Sequence, residues 1–150
     1  MAGTFSQIYN QVVFSVKGRK NLIHISWEER LYQYICAIAL HKSEKIIAIN
    51  GMPDHIHILF SLKTTSCISN LVREIKKSSN TFINENELTK HKFEWQEGYG
   101  SFSYGFRELD YIINYIKNQK SHHKNKSFME EYYDLLKENN IGFEMQYLFD

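Results

Sequence analysis

Proline, glycine and cysteine are all scarce in this sequence. Its 150 residues include one proline, seven glycines and two cysteines. Because chain-breaking residues are few and no repeat or low-complexity tract is visible, we expect one domain over residues 1–150. Cys36 and Cys67 lie in helix-like patterns without the spacing of metal ligands, so we expect reduced thiols rather than a disulfide or a structural zinc site.

Long apolar runs and a strong net charge are also missing. No apolar run approaches the roughly 18 residues that a membrane span needs. The segment Met1–Phe5 lacks the charged and apolar regions of a signal peptide, so we expect a cytoplasmic protein. The formal net charge is +1, so composition does not indicate a nucleic-acid partner, and any basic surface must be local.

Apolar, β-branched and aromatic residues recur in patterns that predict alternating strands and helices. The predicted strands are 4–16, 45–50, 55–62 and one or two short strands within 92–104. The predicted helices are about 26–41, 66–84, 106–123 and 127–139. We expect the apolar tail 143–149 to pack or to pair as an edge strand. This order predicts an α+β two-layer domain, with a central antiparallel β-sheet and helices mainly on one face.

The strand predicted at residues 55–62 carries two histidines on one face. Side chains alternate along a strand, so Ile56 and Ile58 face the core, while His55 and His57 project together from the other face. Two imidazoles so placed can hold a divalent ion. The same pattern also fits two half-exposed polar residues on the solvent side of a sheet.

The predicted helix 106–123 presents a phenol and an amide on one side. Its buried stripe is formed by Leu109, Ile112, Ile113 and Ile116. Tyr115 and Gln119 are four residues apart and lie on the shoulder of that stripe. A phenol packed at its base and open at its tip suits catalysis. However, Tyr115 also fits a residue at the core boundary, and Gln119 also fits a solvated helix position. His122 and His123 fit a surface pair at the helix end.

Together, the two imidazoles, the amide and the phenol would combine a metal site with a nucleophile. A tyrosine has a pKa near 10 and is a weak nucleophile at neutral pH. A cation on the scissile phosphate offsets developing charge and orients the phosphorus. Attack would give a phosphotyrosine and release a hydroxyl, and a second strand's hydroxyl could reverse the step. This chemistry predicts cleavage and rejoining of DNA strands.

The segments that carry these residues resemble a known family. Residues 51–60, 95–103 and 115–123, with the tail from Glu130 to Asp150, are similar to the single-tyrosine HUH transposases of bacterial insertion sequences that move as single-stranded DNA. The resemblance implies a ferredoxin-like HUH fold that binds hairpin DNA and forms a 5′-phosphotyrosine. It implies that Tyr115 is the nucleophile and that Mg²⁺ or Mn²⁺ is bound by His55, His57 and Gln119.

The resemblance also implies a homodimer with composite active sites. Residues of about 106–150 would carry the tyrosine of one subunit to the histidine pair of the other, with a hinge near Gly105. Two other functions stay open. One is a domesticated relative that processes chromosomal hairpin repeats, and the other is a DNA-binding module that keeps the fold but has lost the chemistry.

Basic and aromatic side chains provide candidates for DNA contacts. The candidates for phosphate binding, each of which also fits a solvated helix face, are Arg73, Lys76, Lys77, Lys117 and Lys120. Tyr99 and Phe102 lie in a glycine-containing segment, where they could stack on unpaired bases or pack in the core.

Overall fold

The computed structural model describes residues 3–148 as a four-stranded sheet with helices on both faces. The strands are β1 (Tyr9–Ser15), β2 (Lys45–Met52), β3 (His55–Ser61) and β4 (Gly100–Tyr104). The helices are α1 (Glu28–His41), α2 (Ile68–Glu85), α3 (Leu109–Lys117), α4 (Gln119–His122) and α5 (Phe128–Glu138). Short 3₁₀ turns lie at Lys17–Arg19, Phe106–Glu108 and Met145–Tyr147.

The sheet has the order β2-β3-β1-β4, and every neighbouring pair is antiparallel. The two central strands, β1 and β3, pair in a register that sets Val13 opposite His57. On β2, Asn50 lies opposite the same histidine. The second histidine of the pair is thus in the middle of the sheet, where neighbouring strands restrict its backbone.

The larger core lies between one sheet face and the two longest helices. Alternate residues of β1 and β3, including Phe14, Ile56 and Ile58, meet Leu31 and Ile35 of α1 with no measurable exposure. The α2 helix presents the stripe that begins with Leu71, Val72 and Ile75 to the same core. Burial of this apolar surface is the main source of stability.

The opposite sheet face is covered by the C-terminal helices. Ile112 and Ile116 of α3 pack on Leu59 and Ala48, in one apolar cluster. A second cluster joins Val13 and Phe102 of the sheet to α5 residues such as Tyr132. Between these two clusters, the same face carries His55 and His57, which therefore lie under the C-terminal helices instead of facing solvent.

The predicted α+β class and antiparallel sheet are confirmed. We expected two layers with helices mainly on one face, but only α1 and α2 share a face, and the C-terminal helices form a third layer on the other because their apolar residues pack on β1–β4. β1 begins at Tyr9, five residues later than predicted. The tail does not form an edge strand at residues 143–148, although Leu148 is buried there; Phe149 and Asp150 lie outside the described residues.

The helix predicted over 106–123 is interrupted. It starts as a 3₁₀ turn, and α3 ends at Lys117, separated from α4 by Asn118 alone. Asn50 explains the break, because its side-chain amide donates to the carbonyls of Ile116 at 3.1 Å and Lys117 at 3.0 Å. A continuous helix would pair those carbonyls with amides four residues later. Instead, the amide of Ser121 bonds to the carbonyl of Asn118.

None of the helices within residues 3–148 is long and apolar enough to cross a membrane.

Gly51 lies on β2 opposite Ile56 of β3, where the strands leave no room for a side chain. A Cβ on Gly51 would lie 2.2 Å from the carbonyl oxygen of His55 and 2.9 Å from the Cα of Ile56. Gly51→Ala should therefore lower the free energy of unfolding by roughly 1–3 kcal/mol, because the strand must shift. Gly142→Ala is the control, since nothing lies within 4 Å of its added carbon. Equal thermal midpoints for the two variants would contradict this account of the β2–β3 approach.

Candidate metal and tyrosine site

The two histidines of β3 project side by side and are fully buried. The ring centroids of His55 and His57 are 5.1 Å apart, and both residues have 0% exposure. Nδ1 of His55 lies 2.7 Å from a carboxylate oxygen of Asp54, and Nδ1 of His57 lies 2.7 Å from the amide oxygen of Gln11. Acceptors on Nδ1 fix the ring tautomer and leave each Nε2 facing the site.

A carboxylate from α5 occupies the centre of the site. Oε1 of Glu131 lies 3.2 Å from Nε2 of His55, 3.0 Å from Nε2 of His57 and 3.0 Å from Nε2 of His123. Glu131 is only 2% exposed. The first residue of the same helix, Phe128, stacks on the His55 ring with centroids 4.3 Å apart. The α5 helix thus closes the site and supplies its only buried acidic group within the described residues.

The phenol and the amide predicted for the site are both there. The Tyr115 hydroxyl donates to Oε2 of Glu131. Gln119 is fully buried, its amide oxygen lies 3.2 Å from Nε2 of His55, and its amide nitrogen donates to Oε2 of Glu131 at 3.0 Å. Within one chain, the structure therefore brings together Tyr115, His55, His57 and Gln119.

Burial and charge shift the titration of these groups in different directions. Burial opposes the charged form of His55, but Asp54 and Glu131 outweigh it and raise its pKa. For His57 burial prevails over the attraction of Glu131 and lowers the pKa. Burial alone would raise the pKa of Glu131, yet the facing imidazoles hold it far below its usual range. Burial and the Glu131 carboxylate raise the pKa of the Tyr115 phenol, which is therefore protonated.

The cluster contains more hydrogen-bond acceptors than protons that can be donated to them. His57 is held neutral by burial and has one N–H, but acceptor oxygens face both of its nitrogens, Gln11 Oε1 at 2.7 Å and Glu131 Oε1 at 3.0 Å. A cation between Nε2 and the carboxylate would satisfy both atoms. Adjacent ligands of an octahedral ion with bonds of 2.0–2.1 Å lie roughly 3 Å apart, which matches these separations. The residues present fit a divalent metal ion.

Two lysines predicted to contact DNA are engaged within the protein. The ammonium of Lys76 donates to the carbonyls of Gln96, Glu97 and Gly98 at 2.8–3.0 Å, and burial lowers its pKa to about 8. Lys120 donates to Glu28 at 3.0 Å and to the carbonyl of Gly51. Lys76 anchors a loop and Lys120 attaches α4 to β2 and α1, so neither ammonium is free for phosphate in this arrangement.

The remaining candidates for DNA contacts lie partly on the surface and partly in the core. Exposed basic side chains are found at Arg73, Lys77 and Lys117. Phe102 is 1% exposed and packs against α5, so the core alternative holds and it cannot stack on a base. Tyr99 is half-buried under the ammonium of Lys76. Gly105 has φ −88° and ψ 168°, a conformation open to any residue, and no backbone strain marks it as a hinge.

Sequence reasoning missed four groups that build the site, and two of them left a signal. Glu131 lies three residues after Phe128 and four before Leu135, on the apolar stripe of α5, where a carboxylate has no place unless it is paired. Asp54 directly precedes the first histidine. The position of Gln11 near His57 depends on the β1–β3 register, which no local pattern shows. His123 was predicted to lie on the surface, but its side chain is only 6% exposed.

Comparisons with known proteins give one family match and solved structures of similar fold. Residues 4–119 match the protein family described as transposase IS200 like. A solved structure described as a candidate transposase from Deinococcus radiodurans R1 superposes with a TM-score of 0.62 and 19% identity, over 79% of this chain and 95% of that one.

A second structure is the REP-associated tyrosine transposase bound to a REP hairpin. It superposes with a TM-score of 0.61 and 17% identity, over 82% of this chain and 74% of that one. At these sequence identities, the two superpositions show that the folds are similar and no more. No curated protein sequence matches the chain.

Metal binding should stabilise the protein measurably. A ligand that binds only the folded state at a hundred times its dissociation constant adds about 2.7 kcal/mol to the free energy of unfolding. We expect Mn²⁺ to raise the thermal midpoint accordingly and His57→Ala to abolish the increase. The exposed His91 provides a control variant, His91→Ala, that should keep it. An equal increase in His57→Ala would place the metal elsewhere.

Proposed function

Because the chain belongs to the family of IS200-like transposases, we propose that it cleaves and rejoins single-stranded DNA at hairpin-marked ends through a covalent bond to Tyr115. The observation that carries this proposal is the convergence of one phenol, one amide, two strand histidines and a carboxylate in a single buried cluster. A module that only bound DNA would have no need to bury this many polar groups together, because their burial costs stability.

The proposed reaction joins the phenolic oxygen to a backbone phosphorus. The bond between phosphorus and the 3′ oxygen breaks, and that oxygen leaves as a hydroxyl after taking a proton from water. The hydroxide that remains takes the phenolic proton, while Oε2 of Glu131 accepts the hydrogen bond of Tyr115 and orients the phenol. The product is a 5′-phosphotyrosine, and attack by another strand's 3′ hydroxyl reverses the same bonds and rejoins the DNA.

The residues that would hold Mg²⁺ or Mn²⁺ are His55, His57, Gln119 and Glu131. When bound, the ion supplies positive charge to the scissile phosphate and reduces the negative charge that the phenol faces. The protein's own contribution is orientation. Asp54 and Gln11 hold the imidazoles by their Nδ1 atoms, and Glu131 turns the amide of Gln119 so that its oxygen faces His55.

The proposed substrate is DNA that folds into hairpins. The structural neighbour bound to a REP hairpin supports this choice, since the two chains share a fold. Among the basic candidates, Arg73, Lys77 and Lys117 are exposed and suited to phosphate contacts. A DNA substrate also places the proposed reaction in the cytoplasm, where bacterial DNA is held.

We further propose that two copies form a homodimer with composite sites. Exchange of the segment that follows Gly105 would let α3, α4 and α5 make the same contacts with the partner's sheet that they make here with their own. Exposed aromatic rings next to that point, Phe106 at 66% and Tyr111 at 70%, support an interface there.

Removal of the Tyr115 hydroxyl should abolish covalent adducts. With a hairpin oligonucleotide and Mn²⁺, Tyr115→Phe should give no protein–DNA adduct on a denaturing gel, while hairpin binding persists. Tyr111→Phe is the matched control, because it keeps the exposed ring assigned to the interface and removes only a hydroxyl one turn earlier on the same helix, so the yield should stay unchanged. Adducts at full yield in Tyr115→Phe would refute the assignment of the nucleophile.

Neighbouring lysines of α2 should differ in their effect on DNA binding. Lys77→Met should weaken hairpin binding and reduce the slope of log affinity against log salt by about one. Lys76→Met should leave that slope unchanged but cost roughly 1–3 kcal/mol of stability, because three carbonyls lose their donor. Fluorescence anisotropy over a salt series and thermal melts measure both effects. The reverse pattern would contradict the roles given to the two ammonium groups.

A further inference from the structure

The side chain of His123 is buried against the site although the two residues before it are exposed. Its side chain is 6% exposed, whereas the adjacent His122 faces solvent. Its ring lies edge-on to His55 with centroids 4.7 Å apart. His123 also lines an open cleft of about 580 Å³, together with Asp54 and Lys126. The side chain thus lies between the buried cluster and an opening to solvent.

Helical spacing places His123 in line with the two predicted site residues. Tyr115, Gln119 and His123 follow one another at intervals of four. The interval is maintained past the break after α3, since the amide of His123 donates to the carbonyl of Gln119 at 3.1 Å. One side of this segment therefore presents a phenol, an amide and an imidazole to the same cluster.

The Nε2 atom of His123 approaches the same carboxylate oxygen as the other two imidazoles. Its distance to Oε1 of Glu131 is 3.0 Å, equal to that of His57 and close to the 3.2 Å of His55. One carboxylate oxygen has about two lone-pair sites, so it can accept good hydrogen bonds from two of the three imidazoles at most, while Nε2 of His55 also faces the amide oxygen of Gln119 at 3.2 Å. A cation held by the three nitrogens and the carboxylate oxygen would need none of these protons.

We propose that Nε2 of His123 is a third imidazole ligand of the divalent ion. This inference rests on the metal site of the proposed function and extends its ligand set to His55, His57, His123, Gln119 and Glu131. If the ion is six-coordinate, these five donors would leave one position for a phosphate oxygen. Imidazole suits first-row transition ions better than Mg²⁺, which makes Mn²⁺ the probe of choice.

The test counts the imidazole nitrogens coupled to bound Mn²⁺. Pulsed electron paramagnetic resonance on the whole protein should detect three such couplings in the wild type and two in His123→Gln. The new amide can still donate to Glu131, so a role limited to a hydrogen bond would survive this change. His122→Gln is the matched control and should retain three. Calorimetry should give an affinity for Mn²⁺ that is at least about tenfold weaker in His123→Gln only.

Each outcome decides the role of His123. Loss of one coupling in His123→Gln, or loss of Mn²⁺ binding while its circular dichroism stays native, supports the ligand. Two couplings in the wild type, or the same spectrum and affinity in His123→Gln, overturn it. These results are independent of strand cleavage, because adduct formation by Tyr115 is measured separately. Failure of the third ligand therefore leaves the proposed function standing, and failure of the adduct assay leaves the ligand count intact.

Discussion

The contact on which the site depends is the carboxylate of Glu131 enclosed by imidazoles. It links α5 to β3 through one oxygen and to α3 and α4 through the other, where Tyr115 and Gln119 donate. A buried carboxylate costs several kcal/mol unless it is paired and hydrogen-bonded. The facing groups provide that pairing, but the cluster contains more hydrogen-bond acceptors than protons. Positive charge at the histidine pair would make up this shortage. The packing of the C-terminal helices, which Glu131 holds to the sheet, therefore depends on that charge.

The sheet gives this cluster its rigidity. His57 lies on a central strand with neighbours on both sides, and its Nδ1 faces Gln11 on the adjacent strand. The opposite face of the same strands is packed against the two longest helices, so the histidines cannot shift without disturbing the core. Asn50 and Lys120 then fix the end of α3 and the start of α4 to the β2 edge. A catalytic set built on strands is held more exactly than one on loops.

Local periodicity predicted much of this arrangement. Alternation along β3 placed His55 and His57 together, and the interval of four placed Gln119 beside Tyr115; both placements depend only on the geometry of one element. The positions that failed depend on contacts between distant segments. Phe102 is buried because α5 covers β4, which no local pattern indicates. The break after α3 depends on an asparagine 66 residues away in the sequence.

The most direct test of a cation at the histidine pair is an anomalous difference map recorded at the manganese absorption edge, from a crystal soaked in Mn²⁺. A bound ion should give one strong peak between about 2 and 2.5 Å from Nε2 of His55, Nε2 of His57 and a carboxylate oxygen of Glu131. A well-ordered site without a peak, in which Glu131 keeps its direct contacts with both imidazoles, would contradict this prediction, because the buried carboxylate would then be satisfied by protons alone.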